Sequence, residues 1–343
     1  MQMSGHVFLG RNRNFQIRCR IEKEEQEDWA IQTIDLRVDY GETNAVRGLN
    51  LQVPRGEVYG LVGPNGAGKT STFKILATLM EPTYGEVRLC GIDALLYPLE
   101  VRHRIAYMPD LAPLPSDLKC GEFLEMFAAA YGLRGKEKRA RIDECLEATQ
   151  MTGKRSAFCK TLSRGMTQRL VLAKSLLHNP ELMILDEPAS GMDPVARADL
   201  RRALRAIADA GRTVIVSSHI LSELADMCTS VGLMKKGQLI ASGSVSDVVS
   251  QMSRPQRRIS VRLVNEVEIT RQLLCNADHV SDVKTDASAK TIRFDFDGTE
   301  EAQSGLISDL ISGGSKLRSF EEQQSTIEDI FIEMSGPNKM SDE

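Results

Sequence analysis

From Ile34 the chain alternates: Leu36, Val38 and Tyr40 are separated by charged residues, and Leu49, Leu51 and Val53 repeat the pattern before Pro54 and Gly56. Period-2 alternation bounded by turn residues predicts half-buried antiparallel strands. The run 57–63 is apolar and opens into a glycine-rich loop, after which 69–79 reads as helix. Residues 115–178 are mostly helical in pattern, with Phe123, Phe127, Ala130 and Tyr131 expected on one face and Leu170, Ala173 and Leu177 on another. The unbroken apolar run 181–187 is of the kind buried in a parallel sheet. A helix should follow, with Asp193 as N-cap, Pro194 at its first position and Gly211 beyond its end. A strand at 213–217 and a hairpin around Lys235, Lys236 and Gly237 complete a domain expected over 33–250.

Both ends change character. In residues 1–32, Arg11, Arg13, Arg18 and Arg20 precede the acidic Glu22, Glu24, Glu25, Glu27 and Asp28, which reads as a charged, weakly ordered extension. Residues 253–255 look like a linker. Beyond them strand-like runs at 259–264, 291–296 and 317–320 alternate with helix-like runs at 266–275, 300–311 and 327–334. The last helix opens on a capping box, Ser325 with Glu328 three residues on. This is a small α+β domain over 256–336 with a tail at 337–343, and no motif in it carries chemistry.

With 343 residues, 42% hydrophobic and a net charge of −4, a disordered chain and a protein built to coat nucleic acid are both excluded as classes, so no nucleic-acid partner is expected. Seven scattered cysteines, never in C-x-x-C, fit free thiols rather than a disulfide framework or a structural zinc site. No apolar run approaches the roughly 20 residues of a membrane span, and the N-terminus lacks a signal peptide's apolar core. A cytoplasmic chain is expected.

Candidate chemistry begins at Gly63-Pro64-Asn65-Gly66-Ala67-Gly68-Lys69-Thr70, which matches G-x-x-x-x-G-K-[ST] between a strand and a helix. The glycines turn backbone N–H groups inward around phosphates, and the helix N-terminus beginning at Lys69, Thr70 and Ser71 adds its positive end. Lys69 would reach the β- and γ-phosphates of ATP, and Thr70 would hold Mg²⁺. Asp186 and Glu187 end the apolar run 181–187. At the carboxyl end of a parallel strand both face a bound ligand. Asp186 suits Mg²⁺, and Glu187 suits polarising an attacking water.

Those motifs specify an ATPase. Its kind comes from Leu162-Ser163-Arg164-Gly165-Met166, which resembles the L-S-G-G-Q signature of ATP-binding cassette (ABC) proteins. The resemblance covers about residues 33–250 of the sequence and implies an α/β fold. In that fold a P-loop NTPase (RecA-like) core carries an antiparallel β-subdomain and a helical subdomain (about 111–178), here followed by the α+β domain. It implies that Tyr40 stacks on adenine, that Ser163 and Gly165 contact the γ-phosphate of a facing subunit, and that Asp193 lies in the D-loop. It makes His219 the switch histidine, beside Glu187 and Lys69 in the catalytic set. The family's Q-loop glutamine falls at Asp110, which is shorter and anionic; it can still bind Mg²⁺ but cannot donate a hydrogen bond. Arg164 and Met166 also depart from the signature, and Arg164 either adds a cation near the phosphates or points to solvent. The variant L-S-[KR]-G-M-x-Q-R-L is similar to ATPase subunits of type-2 ABC exporters, as is the ending Thr326 to Phe331. That likeness implies a second ABC subunit, most simply in a homodimer, and a separately encoded transmembrane permease that holds the chain peripherally on the membrane. The alternative is a nucleotide-dependent clamp or regulator with weak turnover. The exported substrate stays open.

Overall fold

The two alternating runs pair antiparallel as β1 (Trp29–Tyr40) and β2 (Thr43–Pro54), with Leu36, Leu49, Leu51 and Val53 fully buried between the layers. The computed structural model describes residues 29–225, 227–252, 257–264, 267–286 and 288–323. The charged segment before Trp29, the linker at 253–255 and the final helix with its capping box lie outside the described residues. The described residues fall into two units dividing between Val245 and Ser246.

In the first unit β3 (Val58–Val62) runs into the glycine loop and α1 (Lys69–Leu76). Next come β4 (Tyr84–Leu89), β5 (Ile92–Asp93), α2 (Pro98–Arg104) and β6 (Ile105–Met108). Three helices follow: α3 (Cys120–Ala130), α4 (Gly135–Ala148) and α5 (Arg164–Leu176). The unit closes with β7 (Leu182–Leu185), α6 (Pro194–Asp209), β8 (Thr213–Ser218), α7 (Leu221–Ala225), β9 (Ser230–Lys235) and β10 (Gln238–Ser244). One antiparallel sheet has the order β2-β1-β4-β5, and the larger sheet has the order β10-β9-β3-β8-β7-β6. The larger sheet is parallel except for β10. The apolar runs behind β3, β7 and β8 are buried along their whole length, as a sheet covered on both faces requires. A single core cluster joins the two sheets through residues such as Val46, Leu49, Phe73, Ile184 and Met234.

Two expectations are corrected. Strand β1 starts at Trp29, inside the segment read as extension. Ile31 is fully buried and pairs with both Val53 and Leu89. A bulge between Thr33 and Leu36, with Asp35 at φ +48°, resets the alternation, so Ile31 and Leu36 point inward while Ile34 is exposed. On α3 the buried line is Cys120, Phe123, Leu124 and Ala128, not the face that includes Ala130 and Tyr131. The helix ends at Ala130 with Tyr131 as its cap, leaving Ala130 and Tyr131 exposed.

Around the second unit run α8 (Val245–Met252), β11 (Arg257–Leu263), α9 (Val267–Cys275), β12 (Val280–Asp286), β13 (Thr291–Phe296), α10 (Glu300–Ser312) and β14 (Leu317–Gln323). Its antiparallel sheet, β12-β13-β11-β14, packs Ile259, Val261, Ile292, Phe294 and Phe296 against Leu274 and Leu310 of the helices. Among the described residues no helix is long and apolar enough to cross a membrane.

Candidate active site

The larger sheet places β3 between β8 and β9, with β7 on the far side of β8. The residues that follow these strands therefore meet at one sheet edge, where ligands of open α/β sheets bind. The Gly63 N–H donates to Ser218 O at 3.3 Å and so ties the start of the phosphate loop to the end of β8. A cleft of about 690 Å³ opens there. Its walls include the loop residues Asn65 to Ser71, Glu187 and His219, together with Asp110 and Ser190.

Backbone geometry makes the cradle. Gly68 sits at φ +105°, and a Cβ on it would lie 2.4 Å from Ala45 O, so the loop passes β2 at a distance only glycine permits. Lys69 is 6% exposed, and its Nζ donates to Gly63 O at 2.6 Å and lies 3.4 Å from Glu187 Oε1. Burial pushes the Lys69 ammonium below its ordinary pKa, and the Glu187 carboxylate opposes that shift. A buried cation of this kind is stabilised by an anionic ligand.

The carboxylates divide their roles by environment. Asp186 is buried, which raises its pKa, while hydroxyl hydrogen bonds from Ser217 and Thr70 lower it. Ser217 Oγ donates to Asp186 Oδ1 at 2.6 Å and accepts from the Glu187 N–H at 2.8 Å. Glu187 itself lies at φ +47°, a strained conformation for a non-glycine residue and one that recurs at active sites. Its Oε2 lies 2.9 Å from His219 Nδ1. Glu187 is thus held between an ammonium and an imidazole, with one edge facing the cleft.

Hard oxygen donors at Thr70 and Asp186 suit Mg²⁺, which takes one or two carboxylates and completes its shell with water and phosphate.

Other candidates lie apart. The Tyr40 ring is half exposed at the end of β1, its hydroxyl 3.3 Å from Ser71 Oγ and 3.1 Å from Met80 Sδ. Ser163 is the N-cap of α5, its Oγ accepting from the Met166 N–H at 3.4 Å. Gly165 packs against α6, where a Cβ would lie 3.0 Å from that of Ala196. Asp193 caps α6 by accepting from the N–H groups of Val195 and Ala196 at 3.0 and 2.9 Å. Among the described residues, Tyr40, Ser163, Gly165 and Asp193 are not part of the cleft wall.

Three participants escape sequence reasoning. Ser217 holds the Asp186 carboxylate and the Glu187 backbone N–H, and its only signal is a polar residue ending an apolar strand. Arg47 of β2 and Lys236 of the β9–β10 turn bring two cations to the cleft wall. They are carried there by the bonds from Arg47 N–H to Gly237 O (2.7 Å) and from Gly237 N–H to Ala67 O (2.9 Å).

The family model described as ABC transporter matches residues 46–190, and that of the ATP-binding protein DrrA1-3-like C-terminal domain matches 243–335. The chain is 32% identical over 310 residues to the daunorubicin/doxorubicin resistance ATP-binding protein DrrA of Streptomyces peucetius, covering 90% of this chain and 92% of that one. It is 36% identical over 227 residues to the probable multidrug ABC transporter ATP-binding protein YbhF of Escherichia coli, and that match spans only 39% of the relative's length. A solved ATP-binding subunit of an ABC transporter superposes with a TM-score of 0.59 at 32% identity, over 65% of this chain and 92% of that one.

Proposed function

The chain belongs to the ATP-binding proteins of ABC transporters, and from that premise we propose that it is the ATP-hydrolysing subunit of an exporter whose membrane path is a separate permease. The reading is carried by the placement of Glu187 between Lys69 and His219 on the wall of the cleft that the phosphate loop lines.

In this proposal the phosphates lie along the N–H groups of Asn65 to Thr70, with Lys69 against the terminal phosphates and Tyr40 beneath adenine. Thr70 and Asp186 would hold Mg²⁺, which would supply screening of the phosphate charge. Glu187 orients a water for in-line attack on the γ-phosphate and accepts its proton, while His219 holds the carboxylate's second oxygen and faces the developing charge. A carboxylate so well oriented supports turnover over a binding-only clamp.

Ser163, Gly165 and Asp193 stand outside the chain's own cleft wall. Because Ser163 and Gly165 lie in the stretch that resembles the ABC signature and Asp193 in the one that resembles the D-loop, they are assigned to the nucleotide of a second ABC subunit, in a head-to-tail pair that closes on ATP and opens on hydrolysis. The simplest such pair is a homodimer. The chain would sit on the cytoplasmic face of the membrane through its permease, with the helical surface around residues 97–160 as the dock. The substrate class would be set by the permease. Deleting the permease from the producing cell should release the chain from the membrane fraction; unchanged membrane retention would overturn the docking assignment.

A further inference from the structure

Two departures from the family pattern, Arg164 in the signature and Asp110 at the Q-loop position, meet in space. Arg164 Nη2 lies 3.6 Å from Asp110 Oδ1 and donates to Ser190 Oγ at 3.1 Å. The guanidinium lies against Gly191 so closely that a Cβ there would be 2.7 Å from Arg164 Cζ. One turn along α5, on the same face, Gln168 Nε2 donates to Asp110 O at 2.9 Å. The first two turns of α5 therefore grip Asp110 by side chain and backbone, and through Arg164 they also hold the turn 187–190, which is closed by the Ser190 N–H bond to Glu187 O at 3.0 Å.

The charges explain why the two departures belong together. An aspartate in place of glutamine adds a carboxylate to a cleft wall that already carries Glu187 and that, on the ATPase reading, would receive a polyanion. Left alone, it would repel the phosphates. Asp110 Oδ1 is out of solvent and accepts no hydrogen bond among the described residues, which leaves the Arg164 guanidinium as the cation beside it. We infer that Arg164 is a positioning residue. Together with Asp110 it forms a latch within one protomer that joins the helical subdomain to the turn carrying Glu187, so that Asp110 acts through Arg164 rather than as an independent Mg²⁺ ligand. The catalytic consequence of the latch rests on the ATPase reading; the latch itself does not.

Both side chains are close to half exposed, and such pairs contribute little to global stability. The test therefore reads local opening and rate. Hydrogen–deuterium exchange is measured on the full chain for wild type, Asp110→Asn, Arg164→Gln and the swap of Asp110→Arg with Arg164→Asp. ATP hydrolysis is followed in parallel. The latch predicts that each single variant speeds exchange of residues 188–192 by roughly tenfold and that the swap restores it. It also predicts that kcat falls by roughly tenfold with the KM for ATP within about twofold, again restored by the swap. Wild-type exchange in Arg164→Gln, or loss in Asp110→Asn that the swap leaves unrepaired, would overturn the latch. Exchange that follows the latch pattern in a wild type without turnover would support the latch and sink the ATPase reading instead.

Discussion

Glu187→Gln should lower ATP hydrolysis by roughly 10²–10⁴-fold, the usual range for removing a general base, while the dissociation constant for ATP changes by less than about threefold. The amide keeps the length of the side chain: its one oxygen can still accept from Lys69, and its NH2 can donate to an unprotonated His219 Nδ1, the two atoms that lie 3.4 and 2.9 Å from the carboxylate oxygens. The substitution removes the negative charge that attracts a water's proton. It also removes one repulsion toward the phosphates, so binding should hold or tighten. Single-turnover hydrolysis beside equilibrium binding of radiolabelled ATP checks both halves. Turnover within a few-fold of wild type would remove Glu187 from the reaction.

Gly68→Ala should weaken nucleotide binding more than any side-chain change in the loop. At φ +105° an L-residue is strained by about 1–3 kcal/mol, and the added methyl would also meet Ala45 O at 2.4 Å. Neither atom can yield cheaply, because Ala45 belongs to β2 and Gly68 opens α1, where the Thr72 N–H donates to Gly68 O at 2.9 Å. The loop must therefore move, and its N–H groups lose their common focus. ATP affinity should fall by roughly 100-fold, equivalent to about 2.8 kcal/mol, with a melting temperature lower by several degrees. Titration calorimetry and a thermal melt read the two effects, and wild-type affinity in the alanine variant would show that the cradle has another geometry.

Much of this site is legible in the sequence because its motifs encode local backbone geometry. The spacing from Gly63 to Thr70 specifies a strand, a turn and a helix N-terminus that adjoin in the chain. Asp186 and Glu187 are marked by the apolar strand they terminate, and Asp193 with Pro194 marks a helix start that the bonds to Val195 and Ala196 realise. What the sequence hides depends on strand order. Ser217 reaches Asp186 and Glu187 because β8 lies beside β7, and Lys236 reaches the phosphate loop because β9 pairs with β3. Neither fact has a local signal. The direction of Arg164 was open for the same reason, since its partners lie 54 and 26 positions away in the sequence, at Asp110 and Ser190. The polar edge strand β12, with no fully buried residue among its seven, lacks the alternation that exposes β1 and β2 to pattern reading.

In the proposed head-to-tail homodimer, ATP closes two copies of this chain face to face. Light scattering on Glu187→Gln, with and without ATP and Mg²⁺, tests it most directly, because blocked hydrolysis traps the closed pair. The variant should show one chain's mass without nucleotide and twice that mass with it. A single-chain mass at saturating ATP, with binding verified in the same sample, would contradict it.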